Sequence, residues 1–341
     1  MGPDKAWVAS AIAHRETEAV PYYFDFTPPA RRRAESIYGS PLEERLCLPL
    51  RMGSCRKLKP LYADPSEFGP TARDEFGVTW STSPVDRGAP IRPALSGPDL
   101  SGYRFPDPAA AWRFEDIGAW SRRRRSQFTI LWLGDLWERA AFMRGLEDLL
   151  LDLALHPGFV EELLDGITGY LLDTLGILLE RFEFDGVALS DDYGTQRSLL
   201  ISPESWRRFI TPRLDLIYRP ARAAGKIIFH HSDGNIWPII PDLIELGCDI
   251  LHPVQPEAMD VLRLKREFGR DLTFCGGFPT QDLLVHGRPG QVRDEARRLM
   301  DLLGRGGGYI FSNGITIQSD VPADNLAALI DSALQGRSSS A

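Results

Sequence analysis

Short apolar runs alternate along the chain with longer segments in which apolar residues recur at helical spacing. The runs predict strands at residues 20–26, 128–133, 185–190, 226–229, 248–251, 272–275 and 308–311, with an eighth near residues 46–53. The longer segments predict helices at 147–155, 158–181, 203–224, 241–247 and 289–303. Strands that alternate with helices form parallel sheets. In a chain of 341 residues, this order predicts an α/β fold, a single-domain (β/α)₈ TIM barrel.

One stretch breaks the alternation. Residues 60–108 are rich in Gly, Pro, Ser and Asp, which predicts an irregular insertion with a small hairpin over one end of the barrel. We assign residues 1–335 to the barrel and expect the tail at 336–341 to be disordered.

The charge balance narrows the possible partners. The net charge is −8 and the pI is about 5.4, which argues against nucleic acid and anionic membranes as partners. The first residues lack a signal-peptide pattern and no apolar run reaches the length of a membrane span, so a cytoplasmic protein is expected. None of the four cysteines forms a Cys-x-x-Cys pair, which predicts reduced thiols without a zinc ribbon.

Ionisable residues are concentrated where the predicted strands end. These positions hold seven acids or histidines, Asp25, Asp135, Asp191, Asp192, His231, Asp233 and His252, and the uncharged Asn313. In a parallel barrel, strand ends face the C-terminal mouth, where catalysis takes place. The pattern therefore predicts an enzyme with its site at the mouth.

The segment His230-His231-Ser232-Asp233 follows a clear strand. Because strand side chains alternate, one of the two histidines must face the barrel interior. It would serve as a general acid/base or a metal ligand. The alternative is a hydrogen-bonded core histidine, with Asp233 as a helix cap.

The adjacent carboxylates Asp191 and Asp192 offer a second candidate. Like charges this close can raise the pKa of one carboxyl, which suits a general acid. Alternatively, one of them caps the next helix and the other pairs with Arg197. A structural role for His252 is as plausible as substrate contact.

Arginines near the first strands would bind a carboxylate of the substrate. The complete set of expected catalytic residues is His231, Asp233, Asp191 and Asp192. The expected substrate contacts are Asp25, Arg33, Arg51, Asp135, Tyr193, His252, Gln255 and Asn313.

Several segments together resemble the uroporphyrinogen decarboxylase superfamily. They are Asp-Asp-Tyr-Gly-Thr-Gln at 191–196, Ile-Ser-Pro-Glu at 201–204, Pro-Arg at 212–213, His-Ser-Asp-Gly-Asn-Ile at 231–236, His-Pro-Val-Gln-Pro at 252–256, Gly-Gly-Phe-Pro-Thr-Gln at 276–281 and Ile-Gln-Ser-Asp-Val-Pro-Ala-Asp-Asn-Leu at 317–326. Residues 74–80 also resemble a segment of the methyltransferase-like branch. The resemblance implies either cofactor-free decarboxylation or methyl transfer between corrinoid proteins and thiols, often with zinc.

The chain departs from both branches. The arginine-rich decarboxylase signature near the N-terminus is replaced by residues 24–33. The methyltransferase zinc pair His-x-Cys falls on His231 and Asp233, and the later Cys falls on Ile315. We therefore expect no bound metal and no cofactor, and we expect Cys275 to be a buried apolar residue. The alternative is a weak metal site on His231 and Asp233 with a third ligand from elsewhere, such as Asp191 or Cys275.

Three functions are compatible with these features. The first is a metal-independent decarboxylase or other carbon–carbon lyase acting on a small anionic molecule. The second is a corrinoid-linked methyltransferase or demethylase with a modified zinc site and a corrinoid protein as partner. The third is a non-catalytic binding protein on the same scaffold. A homodimer is the default expectation for the assembly.

Overall fold

A computed structural model describes residues 5–336. The strands are β1 (Tyr22–Tyr23), β2 (Leu50–Ser54), β3 (Thr71–Arg73), β4 (Thr79–Ser81), β5 (Pro90–Arg92), β6 (Phe128–Gly134), β7 (Gly186–Ser190), β8 (Ile227–His231), β9 (Ile250–His252), β10 (Thr273–Phe278) and β11 (Tyr309–Asn313). The helices are α1 (Lys5–Ile12), α2 (Pro28–Tyr38), α3 (Leu42–Arg45), α4 (Pro65–Phe68), α5 (Ile117–Arg123), α6 (Trp137–Arg144), α7 (Leu146–Leu155), α8 (Pro157–Arg181), α9 (Pro203–Phe209), α10 (Thr211–Ala223), α11 (Ile240–Leu246), α12 (Val261–Phe268), α13 (Leu283–His286), α14 (Pro289–Leu303) and α15 (Ala323–Gln335). Short 3₁₀ turns lie at Ala111–Phe114 and Trp237–Ile239.

Eight strands form one parallel sheet in the order β1-β11-β10-β9-β8-β7-β6-β2. The two end strands, β1 and β2, lie against each other, so the sheet curls into a barrel with the helices outside. This confirms the predicted (β/α)₈ fold, including the eighth strand near residues 46–53, which is β2.

Two predicted elements differ most from the structure. The first strand, expected over 20–26, forms a regular ladder only at β1 and pairs again at an isolated parallel bridge between Phe26 and Ile317. Between the two, the Asp25 carboxylate accepts the Phe26 backbone N–H. The helix expected over 203–224 is split at Ile210 into α9 and α10. The ring of Pro212 disfavours helical geometry in the preceding residue and Pro212 has no N–H to donate, which explains the break.

The insertion at 60–108 forms a three-stranded antiparallel sheet in the order β3-β4-β5, one strand more than the expected hairpin. Asp74 fastens this sheet to the barrel. Its carboxylate accepts hydrogen bonds from the Trp80 indole and from the Arg139 guanidinium on α6. Because α6 follows β6, the insertion lies at the C-terminal end of the barrel.

Both faces of the barrel strands are buried, as expected for a parallel sheet covered by helices. The interior is filled by apolar side chains, among them Leu50, Phe128, Ile130, Ala188, Phe229, Ile250, Cys275 and Ile310. Cys275 is fully buried there, as predicted. The larger core lies between the strands and the helices.

None of the helices between residues 5 and 336 combines the length and the apolar character that a membrane crossing needs. All four cysteines are free. Of the predicted disordered tail, only Gly336 lies within the described residues.

Candidate active site

His231 is the histidine that faces the barrel interior. Phe229, two residues earlier, packs in the interior core, so strand alternation turns His231 inward and His230 outward. His230 is fully buried between helix and sheet, where its Nδ1 lies 2.6 Å from the Tyr218 hydroxyl. Burial lowers the pKa of His230 to about 3, so this ring is neutral and structural.

His252, at the end of the next strand, holds His231 in place. The two Nδ1 atoms are 2.7 Å apart, so one ring donates a hydrogen and the other accepts it. Burial, and then the charge of His231, lower the pKa of His252 well below its ordinary value. If neutral His231 is the donor, its Nε2 carries a free lone pair; if His252 donates, Nε2 of neutral His231 carries the proton.

The Nε2 atom of His231 points toward two carboxylates. It lies 3.5 Å from Asp192 Oδ1 and 3.9 Å from Asp233 Oδ1. One ligand atom from each of the three residues lies within 4.8 Å of the others. The Asp233 backbone N–H donates to Asp192 Oδ1 at 2.8 Å, which fixes the two acids relative to each other. We call Asp192, His231 and Asp233 the mouth cluster.

One atom of the mouth cluster lacks a partner. Asp233 Oδ1 is buried, and no hydrogen-bond donor reaches it within residues 5–336. Burial raises the pKa of Asp233, and the Asp192 charge adds to this, while His231 opposes it. A buried acceptor without a donor is costly, so this oxygen is suited to a bound cation or to a proton.

Asp191 is separated from its neighbour Asp192. It is fully buried on the outer face of β7, where one carboxylate oxygen accepts the backbone N–H groups of Leu136 and Glu138 at the start of α6. The other oxygen accepts the hydroxyl of Tyr193, which is also fully buried. Burial raises the pKa of Asp191 to about 8. Both residues support the fold and do not face the mouth, contrary to the catalytic and substrate-binding roles expected for them.

Within residues 5–336, neither of the two expected arginines contacts the mouth cluster. Arg51 lies between Leu50 and Met52, which pack into the interior, so its own side chain points to the outer layer. Arg33 donates to the backbone carbonyls of Ser319 and Val321. Neither guanidinium is placed to bind a substrate carboxylate as expected.

Asp135 is occupied by another partner. Both of its oxygens accept from Arg139 Nη2, at 3.2 and 3.1 Å, and Arg139 also reaches Asp74. The carboxylate is therefore neutralised within the protein. This pairing argues against the expected substrate contact.

The three remaining expected substrate contacts each have a hydrogen-bond partner within the protein. Asp25 lies near the mouth and accepts the Thr316 hydroxyl, and burial raises its pKa. Asn313 is buried and donates to the Ile315 carbonyl, so it holds the following loop. Gln255 accepts the Gly234 N–H at 2.6 Å and orders the loop after His231.

Two charged residues at the mouth were not anticipated. Glu138, on the first turn of α6, has only 7% of its surface exposed and lies 3.4 Å from the Ser190 hydroxyl. Burial, and then the charge of Asp192, raise the pKa of Glu138 well above its ordinary value. Arg87 from the insertion reaches it, with 3.5 Å between Arg87 Nη2 and Glu138 Oε1. Glu138 stands three residues after Asp135, and its place in the first helical turn after a strand end was the only signal in the sequence.

Two hollows adjoin the mouth cluster. The first, of about 410 Å³, includes Asp192 and Glu138 and is otherwise largely apolar; its apolar walls are Pro90, Pro93, Trp137, Ala141, Phe142 and Leu146, with Leu200. The second, of about 370 Å³, includes Asp233 and is more polar; it is lined by Thr195, Gln196, Gln255 and Gln281, with Gly194, Gly234 and Ile315. The cluster thus borders one apolar and one polar hollow.

Comparison with solved structures agrees with the fold. A methyltransferase from Methanosarcina mazei superposes with a TM-score of 0.74 over 98% of this chain and 99% of its own, at 15% sequence identity. At that identity the similarity concerns the fold alone.

Sequence comparison identifies the family. Uroporphyrinogen decarboxylases from two strains of Thermus thermophilus are 25% and 24% identical over 139 residues. The match covers 38% of this chain and 37% of each relative, so it spans little more than a third of their length. The sequence profile described as Uroporphyrinogen decarboxylase (URO-D) matches residues 134–335, which include the end of β6, all elements from α6 to α15, and the mouth cluster. The chain therefore belongs to the uroporphyrinogen decarboxylase family.

Proposed function

We propose that this protein is a methyltransferase whose mouth cluster binds a divalent metal ion. The observation that carries the proposal is the convergence of His231 Nε2 with Asp192 and Asp233, where Asp233 Oδ1 is buried without a donor. The fold shared with a methyltransferase adds support. This proposal replaces our expectation of a site without metal.

The donor set fits a metal ion. One imidazole and two carboxylates suit Zn²⁺, Mn²⁺ or Fe²⁺, and a site with only three protein donors leaves a position for substrate. When bound, the ion would lower the pKa of a thiol and hold the thiolate for attack on a methyl group. A corrinoid protein as methyl donor is part of this proposal.

The protein groups around the cluster have separate tasks. His252 fixes the ring of His231, so that Nε2 faces the two carboxylates. The Asp233 backbone N–H donates to Asp192 Oδ1 and fixes the position of that carboxylate. Glu138, when ionised, is placed beside Asp192 to accept a proton released from the substrate. Its raised pKa makes it a better base than an exposed carboxylate.

Activity with and without metal tests this function. Protein stripped with a chelator should lose methyl transfer from methylcobalamin to added thiols, and one of Zn²⁺, Mn²⁺ or Fe²⁺ should restore it. His231→Ala and Asp233→Ala should each reduce the restored rate by at least about 100-fold, because each removes a ligand. Asp173→Asn, on the exposed side of α8, is the matched control and should leave the rate unchanged. Full activity in the stripped protein would refute the proposal that methyl transfer depends on a bound metal ion.

The acid/base lyase remains a second candidate, because burial raises the pKa values of both Glu138 and Asp233. Carboxyls that stay protonated closer to neutral pH can donate a proton to a carbanion left by decarboxylation. Arg33 and Arg51, the anchors expected for an anionic substrate, make no contact with the mouth cluster. This candidate predicts release of CO₂ from a carboxylic acid by metal-free protein, and it fails if only metal-loaded protein turns over.

A further inference from the structure

The apolar hollow beside Asp192 has a distinct composition. Ala141 and Phe142 on α6 and Leu146 at the start of α7 form one side, and Pro90 and Pro93 of the insertion also line it. Its carboxylates are Glu138 and Asp192. A volume of about 410 Å³ falls in the range of small-molecule sites.

The charges around this hollow disfavour an anion. Glu138 is almost fully buried, and a second negative group beside it would lose its hydration without gaining a partner. Arg87 is the nearby cation that could attract an anion, but its charge already pairs with Glu138. Its guanidinium lies 3.5 Å from Glu138 and 5.6 Å from the centre of the Phe142 ring. The walls instead favour transfer of apolar surface out of water.

We propose that this hollow, which we call the apolar cavity, binds an uncharged, apolar substrate body about the size of an aromatic ring. The body would lie between α6 and the insertion and direct one reactive group toward Asp192. The inference deepens the proposed function and rests on it in one respect: the reactive group is a thiol only if the protein is a methyltransferase. It replaces the small anionic substrate expected from the sequence.

Two thiols with different bodies test the proposal. Phenylethanethiol carries an aromatic body and mercaptopropionate carries a carboxylate in the same place. Calorimetric titration of metal-loaded protein should show phenylethanethiol binding at least about 10-fold more tightly, because its ring leaves water while the carboxylate would have to be desolvated. Equal binding, or tighter binding of mercaptopropionate, would overturn the proposal.

A variant at the cavity entrance locates the binding site. Leu146 has 41% of its surface exposed, so Leu146→Trp narrows the cavity with little risk to folding. We expect the variant to bind phenylethanethiol about 10-fold more weakly. Leu151→Trp, on the same helix at an exposed position outside the cavity, is the matched control and should bind like the parent. Unchanged binding in Leu146→Trp, with an unchanged melting temperature, would contradict the assignment.

A probe without a thiol separates this inference from the proposed function. Phenylethanol has the same aromatic body, and its binding to chelator-treated protein should still weaken in Leu146→Trp. If that holds and no metal binds, the cavity stands and the metal-dependent function fails. If metal binds but Leu146→Trp has no effect on either probe, the cavity assignment fails alone.

Discussion

Asp191 and Asp192 are adjacent in the chain and lie in different environments. Strand alternation places Asp191 behind the sheet, where three donors satisfy it, and Asp192 in the mouth. The sequence showed that a carboxylate pair ends a strand. It did not show which one faces inward, because Val187, Ala188 and Leu189 are all apolar and both faces of a parallel strand are buried.

The raised pKa of Asp191, about 8, makes a prediction about pH and stability. A carboxyl with a raised folded-state pKa adds stability below its ordinary pKa, and this stability is lost as the pH rises through the folded value. Asp191→Asn keeps an acceptor for the Leu136 and Glu138 N–H groups and removes the titration. Its free energy of unfolding in urea should fall less than that of the parent between about pH 5 and about pH 9.

Asp191→Ala is the comparison variant. It leaves two buried N–H groups without an acceptor, so at every pH it should be roughly 3 kcal/mol less stable than Asp191→Asn. Identical pH dependence in the parent and in Asp191→Asn would show that Asp191 is ionised in the folded protein throughout this range.

His252 provides a second prediction at the residue scale. His252→Phe keeps a ring in the interior but removes the hydrogen bond to His231. Loss of such an orienting partner weakens metal binding by about 10–100-fold, which a competition titration with a chromophoric chelator would measure. His156→Gln, at an exposed position, is the control. Unchanged affinity in a folded His252→Phe would mean that His231 needs no orienting partner.

At the scale of elements, the alternation of apolar runs and helical segments was sufficient to predict the barrel and the positions of its strand ends. The mouth cluster followed from those ends, because parallel strands bring their C-termini to one rim. Glu138 and Arg87 could not be found in this way. One lies on a helix and the other on the insertion, and only tertiary packing brings them together.

One buried ionic network joins the insertion to the barrel. Arg139 joins Asp74 of the insertion to Asp135, and its guanidinium lies 4.5 Å from the centre of the Phe76 ring. Arg139→Ala leaves two largely buried carboxylates without their cation and should lower the free energy of unfolding by about 3–5 kcal/mol. Limited proteolysis should then cut within residues 60–108 faster than in the parent.

A surface pair gives the control for this prediction. Arg125 and Glu183 form an ion pair in which both side chains are largely exposed. Arg125→Ala should change the stability by less than about 1 kcal/mol and leave the proteolysis pattern unaltered. Equal effects of Arg125→Ala and Arg139→Ala would show that the buried network does not hold the insertion.

For the whole molecule, the net charge of −8 gave an expectation about the classes of partner but did not reveal where the acids lie. The structure brings Asp25, Glu138, Asp192 and Asp233 to the mouth, while Arg87 is engaged with Glu138. Such a site favours a cation over an anion. This charge distribution accords with the proposed metal ion and apolar substrate body, and not with the anionic substrate expected from the sequence.

Calorimetric titration of chelator-treated protein with Zn²⁺ and Mn²⁺ tests the central claim most directly. We predict that one equivalent binds to the parent, and that Asp192→Asn, His231→Gln and Asp233→Asn each weaken binding by at least about 10-fold. His230→Gln, which alters the neighbouring outward-facing ring, should retain the parent's affinity if its melting temperature is retained. Absence of binding in the parent, or equal binding in all three cluster variants, would contradict a metal site at the mouth.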